Sequence, residues 1–448
     1  FEHTVGNPSN SSILPTSELT LPEIFTAQNS RFGMAAYGKW HLGGTANAPS
    51  VRGGWPEFAG IRRGGVTNYT LWDKLENGTT TEDVTSYTTT DQVNEGTDFI
   101  VSKGTNPWFL WMAFNAPHTP FHSPPSNLAP VGGYSTSGSS NSDQYIRALE
   151  ALDTEIGRLL TVVDLNRTNV IVIGDNGTPG QVVQAPFGNG HAKGDLYQGG
   201  IHVPLFAVGP DIRITGTTDK LVHCVDLFST ILDLGGIDGN AATAGFSTHS
   251  QSLLPIFHGT DTASRCVIAE KFGDNNGNGR ALISDVHPDY KLIIFGDKDD
   301  ISDTPIFELY NLPSDANEQT NLLLSPLSNE AQSAYDHLLA KDLALGGGYS
   351  DSPAGSFDTI YIELPNRTGP TSPPNNLSVN PTAIIIDGQS ASFVAREDSS
   401  GTAQRYWVKC SLTPGTGGPF TSATVTFPNN PNTGGARSFN STQIIANP

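Results

Sequence analysis

Four short clusters stand out from a Lys- and His-poor chain of 448 residues with only 24 Lys and Arg and 11 His. The first is Gly38-Lys39-Trp40-His41-Leu42-Gly43, where glycines let the backbone turn tightly and present Lys39 and His41 together. The second, Ala116-Pro117-His118-Thr119-Pro120, encloses one histidine between prolines, a rigid setting that suits a positioned acid or ligand. The third, Gly174-Asp175-Asn176-Gly177, sets a carboxylate beside an amide. Two hard oxygens suit Ca²⁺ or Mg²⁺ better than Zn²⁺. The fourth runs from His191 through Lys193 to Gly200 and on to Pro204, and its glycines permit close approach to a ligand that Lys193 would meet.

Each cluster alone has an ordinary reading. Lys39 and His41 suit a solvated surface turn, and His118 suits a loop histidine bonded to a backbone carbonyl. Asp-Asn-Gly is a good turn sequence, and residues 191–200 could be a flexible surface loop. Taken together, Lys39, His41, His118 and Lys193 supply cations beside an oxygen-rich metal site at Asp175 and Asn176. Converging cations plus a hard metal suit a tetrahedral oxyanion ester, whose leaving oxygen gathers charge where water is excluded. Sulfate and phosphate esters both meet that description.

These clusters need a scaffold, and the hydrophobic pattern predicts an α/β one in which strand-like and helix-like segments alternate. Leu21 to Asn29 reads as a helix capped by Thr20 with Pro22 in its first turn. Arg31 to Tyr37 reads as a strand, and the apolar run Trp108 to Phe114 as a strand buried on both faces. Asp143 to Asp164 reads as a helix with Ile146, Leu149, Leu152, Ile156, Leu160 and Val163 at three- and four-residue spacing. Asn169 to Ile173 and Leu205 to Val208 follow as strands, and Leu221 to Leu234 as a helix stopped by Gly235-Gly236. Each of the four clusters thus falls just after a predicted strand or in a loop, and ligands bind at the carboxyl ends of the strands in open α/β sheets.

From Arg265 to Leu312 short β runs with turn signals predict a small antiparallel sheet, followed by a helix near Asn329 to Ala344. Pro- and Gly-rich sequence then reads as a linker, and Ala383 to Ile386, Tyr406 to Val408 and Ala423 to Phe427 as strands of an all-β appendage. The expected domains are residues 1–258, 259–348, a linker at 349–376 and the appendage at 377–448.

A formal charge of −20 argues against a nucleic-acid binder, which needs a basic face to replace counterions. No apolar run approaches the roughly 20 residues that span a bilayer. Cys224, Cys266 and Cys410 lack metal-ligand spacing, and Cys224 reads as core within an apolar helix. Few lysines and many Asn-x-Ser/Thr triplets point to a periplasmic or extracellular protein. No feature specifies an oligomer.

At the four clusters the chain resembles the sulfatase family of the alkaline-phosphatase superfamily. The resemblance rests on Gly38 to Gly43, Ala116 to Pro120, Asp175-Asn176-Gly177 and Lys193 to Pro204. Supporting stretches at Ala151 to Leu160, Val225 to Ile237 and Glu308 to Leu312 follow in the family's order. It implies a sulfatase-like mixed sheet sandwiched by helices and a smaller antiparallel-sheet subdomain, and the all-β appendage read above lies beyond the stretch it covers. It further implies that Asp175 and Asn176 ligate a divalent cation, usually Ca²⁺, and that Lys39 and Lys193 bind sulfate oxygens. His41 would assist the nucleophile, and His118 would hydrogen-bond the bridging oxygen and protonate the leaving alcohol. His191 adjoins this set as a substrate-side residue.

The family also has paired aspartates that complete the metal site, and a Cys/Ser-x-Pro-x-Arg motif whose first residue becomes formylglycine. Neither occurs here, and both are expected in a segment upstream of Phe1. The chain alone is therefore expected to hold metal weakly, to leave a sheet edge unpaired and to hydrolyse sulfate esters negligibly. The expected partner is a sulfated small molecule or glycan. Rival readings are a phosphate ester hydrolase of the same superfamily and a non-catalytic binder of sulfated glycans. Tyr406 and Trp407 could make the appendage a carbohydrate-binding module, and the loop Asp274 to Arg280 could add a subsite.

Overall fold

A computed structural model describes residues 13–28, 31–129, 139–188, 190–239, 249–271, 278–296 and 306–346, and the backbone of seven strands between 359 and 445. The chain divides into two compact units, Phe1–Ala263 and Ser264–Pro448.

The first unit opens with helix α1 (Leu21–Ala27), where the Glu23 carboxylate accepts hydrogen bonds from Thr20 N (3.0 Å) and Thr20 Oγ (2.9 Å). Strand β1 (Gly33–Lys39) follows, then a short helix α2 (Ala48–Val51) and strands β2 (Glu57–Ile61), β3 (Trp72–Glu76) and β4 (Thr79–Val84). Helix α3 (Thr88–Lys103) leads to β5 (Trp108–Ala113). The five strands form one sheet in the order β4-β3-β2-β1-β5, with β1 parallel to both β2 and β5.

Alternation along β1 explains its central place. Met34 and Ala36 pack with Ile24, Phe25, Trp55 and Phe58 on one face. Ala35 and Tyr37 pack with Ala59, Val93, Phe99 and Ile100 on the other. The strand runs two residues further than the sequence suggests, because Gly38 and Lys39 still pair with Gly60 and Ile61 of β2. Lys39 is therefore the last residue of β1 rather than part of the turn after it.

Strand β5 departs from expectation. It is not buried on both faces: its residues are partly exposed, and Trp111 reaches 40%. The cause is its position, since it ends the sheet with β1 as its one strand partner among the described residues. Helix α4 (Asn141–Leu160) buries Ala148, Ala151, Glu155 and Leu159, a stripe one position N-terminal to the predicted Leu149/Leu152/Ile156/Leu160 set. The rotation brings the buried Glu155 carboxylate to Thr90 Oγ (2.6 Å) of α3 and to Arg158 Nε (2.6 Å).

Strand β6 (Val170–Ile173) pairs antiparallel with β7 (Leu205–Val208) in a separate two-stranded ladder, with the short helix α5 (Gln198–Ile201) between them. This ladder is likewise less buried than its apolar sequence predicts, with Val172 39% and Phe206 67% exposed. Helix α6 spans Asp226–Leu234, starting later than expected, and Asp226 Oδ2 in its first turn accepts from His223 N (2.6 Å) in the turn that precedes it. Cys224 accordingly lies before the helix and is exposed, not core. Helix α7 (Leu254–Phe257) closes the unit.

In the second unit β8 (Cys266–Lys271), β9 (Gly279–Ser284), β10 (His287–Phe295) and β11 (Ile306–Asn311) form the expected antiparallel sheet. Helix α8 (Asn329–Gly346) buries Ala331, Ala334 and Leu338 against Leu282, Leu292 and Leu309. Of the loop read as Asp274 to Arg280, residues 274–277 lie outside the described residues, and Arg280 is instead in β9 with its guanidinium on Asp342. Strands β12 (Thr359–Leu364), β13 (Ala383–Ile386), β14 (Gln389–Asp398), β15 (Tyr406–Ser411), β16 (Ser422–Phe427), β17 (Gly435–Asn440) and β18 (Ile444–Ile445) form a seven-stranded sheet. Strand β12 falls inside the stretch read as a linker and pairs with β15. The side chains of Tyr406 and Trp407 lie outside the described residues.

Candidate functional site

The ends of β1 and β6 bring the first and third clusters together. Lys39 Nζ lies 3.3 Å from Asp175 Oδ2, with the lysine side chain 19% and the aspartate 68% exposed. Beyond Lys39, Trp40 N donates to Ile61 O (2.9 Å) and His41 N to Arg62 O (3.1 Å), so the β1–β2 pairing carries His41 to the site. His41 itself has φ +52°, a left-handed conformation uncommon outside glycine.

The fourth cluster is laced to the third through the backbone. Gly177 N donates to Gly200 O (2.9 Å), and Lys193 N donates to Thr178 O (2.9 Å). Lys193 thereby comes close enough to Asp175 and Lys39 to feel both charges. Its pKa lies below the ordinary lysine value, because burial disfavours the ammonium and Lys39 adds repulsion, while Asp175 opposes both. His191 has its ring stacked on Tyr197, with centroids 3.7 Å apart.

His118 is half-buried in the second cluster, whose Ala116–Pro117 and Thr119–Pro120 peptide bonds are cis. Its Nδ1 lies 3.0 Å from Thr119 O. A carbonyl only accepts, so Nδ1 carries the proton and Nε2 is the nitrogen that can take or give a proton to a ligand.

The loop joining His41 and His118 was not singled out in the sequence. It is Arg62-Arg63-Gly64-Gly65, directly after β2. A methyl group on Gly64 would lie 2.5 Å from His41 Cε1, and one on Gly65 would lie 2.9 Å from His118 Nδ1. Two successive glycines thus let both imidazoles pack on one loop. Arg63 is exposed on it, while Arg62 Nη1 donates to Gly44 O. The signal was present as a Gly-Gly pair with two cations after an apolar run.

Tyr145 of α4 was also missed, since its position at a helix start carries no motif. Its ring meets Phe121 edge-on, with centroids 6.2 Å apart. Burial raises its hydroxyl pKa, a hydrogen bond with Thr178 lowers it, and the charge of Asp175 raises it.

The metal expectation meets a partial donor set. Asp175 Oδ2 faces Lys39, and Asn176 donates its amide Nδ2 to Gly177 O (3.1 Å), leaving Oδ1 as its acceptor. Two hard oxygens fall short of the 6–8 that Ca²⁺ takes. No group of three or more His, Cys, Asp or Glu among the described residues is placed to hold a metal ion. The residues present do not by themselves fit a tightly held Ca²⁺.

Known proteins agree with the motifs. The Sulfatase family model matches residues 2–237, more than half of the chain. The uncharacterised sulfatase YdeN of Escherichia coli K12 is 27% identical over 258 residues, covering 50% of this chain and 44% of its own. Human N-acetylglucosamine-6-sulfatase is 29% identical over 208 residues, covering 39% and 36%. Bovine arylsulfatase A is 26% identical over 297 residues, covering 58% and 55%. The chain thus spans about half the length, or less, of these curated relatives. Among solved structures, Ps i-CgsB has a TM-score of 0.60 at 19% identity, over 76% of this chain and 78% of that one. BT4656, solved with its substrate D-glucosamine-2-N,6-O-disulfate, has a TM-score of 0.59 at 18% identity, over 77% and 85%. With the ordered motifs, the mixed α/β fold and this match to residues 2–237, the chain belongs to the sulfatase family.

Proposed function

We propose that the chain carries the sulfate-binding part of a sulfuric ester hydrolase that acts on a sulfated small molecule or glycan. The observation that carries this reading is the convergence of Lys39, Asp175 and Lys193 at the ends of β1 and β6, beside His41 and His118 on one Gly-Gly loop. Lys39 and Lys193 would hold the non-bridging sulfate oxygens through charge-assisted hydrogen bonds. His118 Nε2 would protonate the bridging oxygen as the alcohol leaves, its ring held by the Nδ1 bond to Thr119 O. His41 would take or return the proton at the attacking oxygen. A formylglycine of the kind the family uses would supply a hydrated aldehyde oxygen as nucleophile. Asp175 and Asn176 would contribute two ligands to a divalent cation, Ca²⁺ before Mg²⁺.

A sugar substrate is favoured because one relative at 29% identity is named for sulfate at position 6 of N-acetylglucosamine. A periplasmic or extracellular location fits the low Lys content and the many Asn-x-Ser/Thr triplets. Among the described residues no helix is long and apolar enough to cross a membrane.

The test is calorimetric binding of glucosamine 6-sulfate, with glucosamine and glucosamine 6-phosphate as comparisons. Saturable binding of the sulfate ester, weakened about tenfold or more by Lys39→Ala and by Lys193→Ala, is expected from the loss of a bond to a charged group. Equal binding of unsulfated sugar would sink the proposal, and a strong preference for the phosphate ester would transfer it to phosphate chemistry.

A further inference from the structure

The side chain that braces His118 lies outside the four clusters singled out in the sequence. Tyr69, just before β3, is 1% exposed. Its hydroxyl lies 2.8 Å from Asn115 O and 2.8 Å from His118 O, so one proton is shared between the two carbonyls that begin and end a turn. The same turn is closed by His118 N donating to Asn115 O (2.9 Å). Burial raises the Tyr69 pKa far above the ordinary tyrosine value, which keeps the hydroxyl protonated as a donor.

Tyr69 is itself fixed from two sides. Its carbonyl accepts from Thr88 N (2.9 Å) and Thr88 Oγ (2.9 Å) at the start of α3. The His122 ring stacks on its face, with centroids 3.9 Å apart and planes 20° apart. His122 donates from Nδ1 to Pro120 O (3.0 Å) and accepts at Nε2 from the Tyr87 hydroxyl (2.9 Å). Both flanks of the Ala116–Pro120 cluster are therefore referenced to one buried ring.

We propose that Tyr69 is a positioning residue for His118, its shared hydroxyl holding the Asn115–His118 turn so that the imidazole packs on Gly65 with Nε2 presented to the ligand. This rests on the proposed role of His118 at the sulfate ester. A purely structural tyrosine would affect melting; a positioning tyrosine also sets the state of the His118 ring.

The experiment is ring-¹⁵N NMR of the histidine-labelled chain, with His118 assigned by His118→Gln. The wild type is expected to show His118 with its proton on Nδ1. Tyr69→Phe keeps the ring and its stack on His122 but removes the shared proton. It should move the His118 ring signals toward averaged tautomers and speed exchange of the His118 amide about tenfold, while leaving His287 and His337 of the other unit unmoved. Unchanged His118 signals in Tyr69→Phe would overturn the proposal, as would a wild-type ring protonated on Nε2. If Tyr69→Phe fails to fold, Thr88→Val, which removes one bond to the Tyr69 carbonyl, should produce the same change at smaller amplitude, and no change would overturn it. Titration with glucosamine 6-sulfate separates this inference from the reading beneath it. A wild-type His118 ring that ignores the ligand removes His118 from the site and the proposal with it. A ligand response identical in wild type and Tyr69→Phe removes only the positioning role.

Discussion

Lys39 Nζ sits 3.3 Å from Asp175 Oδ2 across 136 residues of sequence, so the cation expected to meet sulfate faces the carboxylate expected to meet metal. The two roles compete for the same atoms. With the aspartate 68% exposed, the pair is worth about 0.2–1 kcal/mol. Asp175→Asn should therefore raise affinity for glucosamine 6-sulfate about two- to fivefold in metal-free buffer. Calorimetry with chelator present measures it; an affinity that falls would show that Asp175 supports the anion site rather than masking part of it.

Lys193 gives the site a pH limit. Its pKa is lowered, mainly by burial, so its positive charge is complete at low pH and is lost as pH rises through a value below that of an ordinary lysine. Sulfate-ester affinity should decline on that alkaline limb. In Lys193→Arg, where the guanidinium stays charged, the decline attributable to this residue should disappear. Coincident pH profiles for the two proteins would contradict this assignment.

His122 predicts an acid response of the loop that carries His118. Burial lowers its pKa, so the unfolded chain binds a proton that the folded chain resists, and stability rises with pH in that window. Stability should be complete above the unfolded histidine pKa of about 6.5 and fall as pH drops below it. The groups facing the ring are the Tyr87 hydroxyl, the Pro120 carbonyl and the Tyr69 ring, none of them anionic. Urea midpoints at pH 7 and pH 5 should differ less in His122→Phe than in wild type; equal differences would count against it.

The sheet edge makes a prediction of another kind. Strand β1 is paired on both sides, and β5 on one among the described residues. Amides of β5 that point away from β1 should exchange at least about tenfold faster than those of Ala35 to Tyr37. Uniform protection along β5 would mean that its outer edge is covered in solution.

The local signals survived folding well. Gly, Pro and polar punctuation placed the second and third clusters in loops, whereas Gly38 and Lys39 of the first end β1 and Gln198–Ile201 of the fourth form α5. The capping residues and alternating faces placed α1, β1 and the antiparallel sheet of the second unit. These features depend on neighbours within a few residues, so the sequence determines them directly. Burial was less legible. Trp108 to Ala113 and Val170 to Ile173 are apolar enough for a sheet interior, yet lie partly exposed, because strand neighbours are set by the whole sheet. The stripe on α4 lies one residue from the predicted one, with a buried Glu155 bonded to Thr90 of α3, a contact that a tally of leucines and isoleucines does not register.

By itself, the sequence determined the family, the residue types at the candidate site and their order along the chain. Only the tertiary structure decided which of them meet. The Lys39–Asp175 pair, the lacing of Lys193 to Thr178 and the Gly64-Gly65 loop beneath two imidazoles all join segments far apart in the chain. So does the Tyr69 hydroxyl shared by two carbonyls of the His118 turn. Such contacts arise from strand order and loop packing, which no local pattern encodes, because hydrogen bonds and charges act over a few ångströms of space regardless of sequence separation.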